Sequence, residues 1–232
     1  MKNISRSIST FVVLAVWAAC VFAQAPVPSR EVAQTPSVSP PPPPIPAALP
    51  IVDPSKELSG MALVEALRKG GFVLYMRHTE TGVVTEKCEQ SNLSAIGEEH
   101  ARNVGGALRD LKIPIGAVRS SFACRCADAA RMLGLGTVEP TADLNPVAPQ
   151  PSFDLGAARS KRLNELPPAG TNTVLVSHLH GSQKKEEWLH LQMGEIIVFR
   201  PDINARAVPV ARVALAGWLA LKNVQASDSV AR

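Results

Sequence analysis

Phe72-Val73-Leu74-Tyr75-Met76-Arg77-His78 joins five residues of apolar, strand-forming character to a fixed cation and an imidazole. An unbroken apolar run of this length reads as a buried strand, as in a parallel sheet flanked by helices. Its last two residues fall at the carboxyl end, where open α/β sheets bind ligands. Arg and His at the end of a buried strand need partners or a solvated cleft. Thr173-Val174-Leu175-Val176 is a second such run, and it ends in Ser177-His178. Two strands that each present a histidine at one sheet edge, with an arginine beside them, suit phosphoryl chemistry.

The flanking pattern alternates helices with short strands. Ser59 reads as the cap of a helix through Met61, Leu63, Val64 and Leu67, ended by Gly70-Gly71. Strand 72–77 comes next, then a polar loop over 79–92. A long helix is expected from Ser94 to Leu111, with Ala101, Val104, Leu108 and Leu111 on one stripe. Its Gly105-Gly106 pair implies close packing. Further on come strand 116–119, helix 125–133, strand 136–139, a Pro-rich loop, a helix at 156–165 and strand 172–177. The chain should close with strand 195–200, a short strand at 205–208 and helix 210–222. This alternation argues an α/β fold of three layers: a mostly parallel sheet with helices on both faces.

Residues 1–25 read as an export signal. Lys2 and Arg6 form a basic start, Phe11 to Ala23 a short apolar stretch, and Ala23-Gln24-Ala25 a small-x-small cleavage site. The apolar stretch is short for a membrane span. Cys20 offers an alternative, a lipoprotein site, and membrane contact is expected only if that cysteine is lipidated. Residues 26–50, with Pro40 to Pro44 in one block, read as an extended linker. A single domain over 51–223 and a tail over 224–232 remain. The net charge of +4 falls to +2 once Lys2 and Arg6 are set aside, with 22 basic against 20 acidic residues. With that balance and so few aromatic residues, no nucleic-acid partner is expected.

Four segments together resemble the histidine phosphatase superfamily, the phosphoglycerate mutase-like fold. Tyr75-Met76-Arg77-His78-Thr79-Glu80-Thr81 is similar to its Arg-His-Gly motif, and Asn92-Leu93-Ser94-Ala95-Ile96-Gly97 to its N-L-S-x-x-G segment. Val118-Arg119-Ser120-Ser121-Phe122-Ala123-Cys124-Arg125 resembles V-x-x-S-P-x-C-R, whose arginine binds phosphate. Val174-Leu175-Val176-Ser177-His178 resembles the segment of the second histidine. Gly194 to Pro201 resembles a late strand of small exported members, and the likeness spans roughly 60–210.

The resemblance implies a phosphomonoesterase of the histidine acid phosphatase type that acts on a small phosphorylated molecule in the cell envelope. His78 would be the nucleophile, forming a phosphohistidine that water hydrolyses. Arg77 and Arg125 would bind phosphate oxygens through planar, permanently charged forks. His178, protonated, would add a third donor. Such chemistry needs no cofactor and no metal. The general acid stays open among Glu80, Glu139, Asp143 and Glu195. Without a strong acid, good leaving groups are preferred. The likeness to exported members also implies a Cys88–Cys124 disulfide, with Cys126 left as a small buried residue. A Cys124-x-Cys126 metal clamp is the alternative for that pair. His178-x-His180, with His190 or Glu187, invites a metal idea, but more often such a second histidine coordinates nothing. His100 and His190 read as solvated.

Thr79 stands in place of the motif's glycine, Ser91 in place of an arginine common before N-L-S, and Ala129 in place of a threonine. These departures support the alternative of a catalytically impaired protein that binds phosphate or sugar phosphates. Neither the substrate nor the oligomeric state is legible in the sequence.

Overall fold

The computed structural model describes residues 55–85, 88–178 and 191–230. The expected signal and linker, Cys20 within the former, and His180, Glu187 and His190 lie outside the described residues. Helix α1 (Gly60–Lys69) buries Leu63, Val64 and Leu67 as one stripe. Ser59 occupies its N-cap position, but the side chain makes no capping hydrogen bond. Six strands then build the main sheet: β1 (Val73–Arg77), β4 (Ile115–Ser120), β5 (Val138–Pro140), β6 (Asn172–Ser177), β7 (Ile196–Arg200) and β8 (Val208–Val213). Their order is β5-β4-β6-β1-β7-β8. The first four run parallel, β7 is antiparallel to β1, and β8 is antiparallel to β7. The sheet is mixed and mostly parallel, as expected.

Alternation along the central strands creates the two faces. Leu74, Met76, Val174, Val176, Ile196 and Val198 pack on one side. There they meet α1, α2 (Ala95–Asp110), α3 (Cys124–Leu133) and Trp218 of α5 (Leu215–Val230). Val73, Tyr75, Leu175, Ile197 and Phe199 face the other way, against Leu144 and Leu163 of α4 (Leu155–Asn164). Each of these large side chains contributes about 1.5–3 kcal/mol by leaving water. The central strands are thereby held rigidly enough to aim the residues at their carboxyl ends. Helices α2 and α3 meet closely at Gly105, where a Cβ would lie 1.8 Å from the Leu133 carbonyl oxygen.

Three expectations are corrected. The segment 79–92 is not a bare loop but a hairpin of β2 (Thr81–Thr85) and β3 (Cys88–Leu93), paired with register shifts. Residues 208–213 form a strand rather than the start of a helix, because β7 supplies an antiparallel partner. Pro209 is tolerated there because β8 is an edge strand. Helix α5 therefore begins only at Leu215, and it runs to Val230.

Candidate active site

Three adjacent strands end at one sheet edge. β1 ends in Arg77 and leads into His78, and its partner β6 ends in Ser177 and leads into His178, with Arg77 in register with Ser177. The His78 N–H donates to the Ser177 carbonyl at 2.9 Å, which locks the two strand ends together. From β4, Ser121 turns the chain into α3, whose first turn carries Arg125. The Ser121 N–H donates to Val176 at 3.0 Å.

Both histidines are 5% exposed, with ring centroids 5.5 Å apart and rings crossed at 70°. His78 Nδ1 lies 2.8 Å from the Thr79 carbonyl oxygen, so that nitrogen is the donor. Nε2 is then the lone-pair nitrogen, and Arg125 Nε donates to it at 3.2 Å. Burial, helped by the charges of Arg125 and Arg77, holds the His78 pKa down to about 4 against the pull of the Thr79 hydrogen bond and Glu80. At neutral pH His78 is an uncharged base with its lone pair beside a guanidinium.

Arg125 spans both rings, since its Nη2 lies 3.0 Å from His178 Nδ1. Burial and the charges of Arg125, His78, Arg159 and Arg77 push His178 down to about 3. In the free protein His178 is therefore neutral and accepts from Arg125, rather than standing as the expected cationic donor. Arg77 donates Nη1 to the Leu191 carbonyl at 2.6 Å. Its buried Nε has no hydrogen-bond partner among the described residues. Burial and Arg125 lower its pKa. Two guanidiniums beside two neutral imidazoles make a site of positive potential, suited to a tetrahedral oxyanion.

The four candidate acids fare differently. Glu195 is 6% exposed, and both its oxygens bond Arg212, at 2.5 and 2.7 Å, while Oε2 also accepts from the Gln192 N–H at 2.7 Å. Asp143 is tied to Arg162 at 2.5 Å, and Glu139 to Arg119 at 3.4 Å on an exposed edge. Glu80 follows the motif, and its charge acts on His78, but its Oε2 lies 2.7 Å from His100 Nδ1. His100 is thus a partner of Glu80 rather than merely solvated.

Thr79 is fully buried and donates Oγ1 to the Gly97 carbonyl at 2.7 Å. Gly97 permits that approach, since a Cβ there would lie 2.0 Å from the Glu80 carbonyl oxygen. Ser91 lies in β3, opposite Val84, and Ala129 is fully buried in α3. A disulfide joins Cys88 to Cys124, with a Cα separation of 6.4 Å, and so ties the hairpin to the helix that bears Arg125. It excludes the Cys124-x-Cys126 clamp. Cys126 is a buried free thiol, 3.4 Å from His178 Nε2, with its pKa raised to about 12 by burial. Among the described residues, no group of three His, Cys, Asp or Glu side chains is disposed to hold a metal ion.

The sequence reading missed three contributors. Arg159 on α4 is 3% exposed, and its charge acts on His178. Asn145 bonds Arg159, Ser121 and Phe122. Ser121 lies inside the V-x-x-S-P-x-C-R-like segment but had no assigned role. The only signal for Asn145 was an Asn-Pro turn, which marks a loop and not a site.

No family model matches the chain, and no curated protein gives a significant match. Solved structures do. The protein histidine phosphatase SixA complexed with tungstate superposes with a TM-score of 0.51 at 17% identity, covering 62% of this chain and 97% of that one. The chain has the histidine phosphatase fold. A phosphoserine phosphatase mutant from Entamoeba histolytica in complex with phosphoserine aligns with a TM-score of 0.42 at 14% identity, over 61% of this chain and 95% of its own. The alpha-ribazole phosphatase from Shigella flexneri aligns with a TM-score of 0.39 at 17% identity, over 60% and 95%.

Proposed function

We propose that this protein is an exported phosphomonoester hydrolase that works without metal, through a phosphohistidine on His78. The observation that carries the proposal is the His78 imidazole. Burial keeps it uncharged, the Thr79 carbonyl takes its Nδ1 proton, and its Nε2 lone pair lies beside Arg125. In the first step Nε2 bonds to phosphorus as the bond to the leaving group breaks. Arg77 and Arg125 stabilise the charge on the equatorial oxygens, and Arg125 moves its Nε hydrogen bond from His78 to phosphate. His178, neutral in the free protein, takes up a proton from solvent on Nδ1 as the dianion binds and becomes a donor. Water then attacks phosphorus, releasing inorganic phosphate and restoring His78. The tungstate bound by SixA, a tetrahedral oxyanion, supports a phosphoryl ligand on this fold.

Glu139, Asp143 and Glu195 are each held by an arginine, and Glu80 by His100. With no uncommitted acid among these four, the substrates are small molecules whose leaving group departs with little protonation, such as aryl or acyl phosphates. Export is supported by the basic and apolar start of the chain and by the Cys88–Cys124 disulfide, which persists in oxidising compartments. The test is hydrolysis of para-nitrophenyl phosphate by the full chain in EDTA. Wild type should turn over and His78→Ala should not. Phosphate binding by wild type without hydrolysis of any ester would favour the binding-protein alternative.

A further inference from the structure

The hydrogen bonds behind His178 form a chain in which the donor at each end is fixed. At one end, Asn145 Oδ1 lies 3.0 Å from the Phe122 backbone N–H, which only donates, so the amide oxygen must face it. The same oxygen lies 3.0 Å from Ser121 Oγ, so the Ser121 proton goes to Asn145. Ser121 Oγ is then left with two lone pairs. One accepts from the Ala123 N–H at 3.1 Å, and the other faces His178 Nε2 at 3.0 Å. Nε2 must carry the proton. At the other end, Arg125 Nη2, also a donor only, lies 3.0 Å from His178 Nδ1, which must be the bare nitrogen. Cys126 agrees with this arrangement. Its Sγ donates to the Ser177 carbonyl at 3.3 Å and so turns a sulfur lone pair toward Nε2.

The turn bearing Asn145 is anchored twice on its other side. Arg159 Nη2 donates to the Asn145 carbonyl, and Ser177 Oγ donates to the Leu144 carbonyl at 2.7 Å. Arg159 is nearly fully buried, and its one hydrogen bond among those described goes to this carbonyl.

We infer that Asn145, held by Arg159 and acting through Ser121, is a positioning residue that fixes His178 as its Nε2–H tautomer and presents Nδ1 to the phosphoryl group. This deepens the proposed phosphatase mechanism and rests on it for its purpose, though the tautomer itself can be read without any substrate. A histidine whose second nitrogen is fixed by a partner has one basic nitrogen in a defined direction. In the serine-protease template, loss of the residue that orients the histidine costs about 10⁴-fold.

The test is a two-bond nitrogen–proton correlation spectrum of the full chain labelled with nitrogen-15 histidine, at neutral pH and without substrate. The His178 signals are assigned by their loss in His178→Gln. Wild type should show a protonated Nε2 and a bare Nδ1. Asn145→Ala frees the Ser121 proton to donate to Nε2 while Arg125 still donates to Nδ1, so the single wild-type form of His178 should give way to a mixture of the two tautomers. Asn145→Asp keeps an acceptor and should keep the wild-type tautomer. Turnover of para-nitrophenyl phosphate should fall at least about tenfold in Asn145→Ala, mainly in kcat. A wild-type His178 protonated on Nδ1 overturns the inference even if no variant folds, and so does an unchanged tautomer in Asn145→Ala. A wild type with the expected tautomer but no hydrolysis removes the phosphatase reading and leaves the tautomer assignment standing.

Discussion

Replacing both half-cystines, as Cys88→Ser with Cys124→Ser, should destabilise the domain and loosen one wall of the pocket. The bridge spans a sequence separation of 36, between the first residue of β3 and the first residue of α3. By the chain-entropy relation a loop of that size restricts the unfolded chain by about 4 kcal/mol. For a domain of this length, about 2–4 °C of melting temperature accompanies each kcal/mol, so the variant should melt about 8–15 °C lower. Thermal unfolding by circular dichroism measures this directly, and mass mapping of wild type should find the bridge with Cys126 as a free thiol. Phosphate affinity, measured by calorimetry, should weaken as well, because the hairpin beyond His78 is no longer tied to the helix that bears Arg125. A melting shift under about 2 °C would refute the view that this bridge constrains the fold. An unchanged phosphate affinity would refute its role in preorganising the pocket.

The two buried histidines make stability depend on pH. Both have folded-state pKa values, about 4 and about 3, below the ordinary histidine value, so the unfolded chain binds more protons in the acid range. Stability should be complete above pH ~6.5 and fall as pH drops, by about 2 kcal/mol per histidine between pH ~6.5 and ~5; urea melts that are flat over this range would count against buried neutral rings. Arg125→Ala should lower kcat for aryl phosphates by about 10²–10³-fold, as expected for one positioned charge, and an effect below about threefold in steady-state assays would move the phosphate elsewhere. Glu195→Gln should cost stability rather than chemistry, because its carboxylate is shared between Arg212 and the Gln192 N–H; a large loss of kcat with an unchanged melting temperature would make Glu195 the acid after all.

Much of the frame was legible because β1 and β6 lie in the middle of the sheet. Buried on both faces, they appear as unbroken apolar runs, and their terminal histidines follow from strand direction alone. The capped start of α2 was equally plain: the Ser94 side chain accepts from the Gly97 N–H. The β2–β3 hairpin was not, because Val83 and Val84 are exposed and the pairing is irregular, so no clean alternation marks it. β8 was misread because Pro209 and the run from Val210 to Val213 look helical or broken until an antiparallel neighbour is present. The partners of the acid candidates were hidden for a related reason. Glu195–Arg212 and Glu80–His100 are tertiary pairs, 17 and 20 residues apart, and no local pattern announces them. The same holds for Asn145, whose importance comes from what surrounds it rather than from its own segment.

The most direct test of the mechanism is rapid acid-free quenching of the full chain mixed with phosphorus-32-labelled aryl phosphate, with mass mapping of the trapped protein. An acid-labile phosphoryl group on Nε2 of His78, formed faster than phosphate is released and absent in His78→Ala, is the expected result. Turnover with no phosphoenzyme at any time point, or a phosphoryl group carried by another residue, would contradict it.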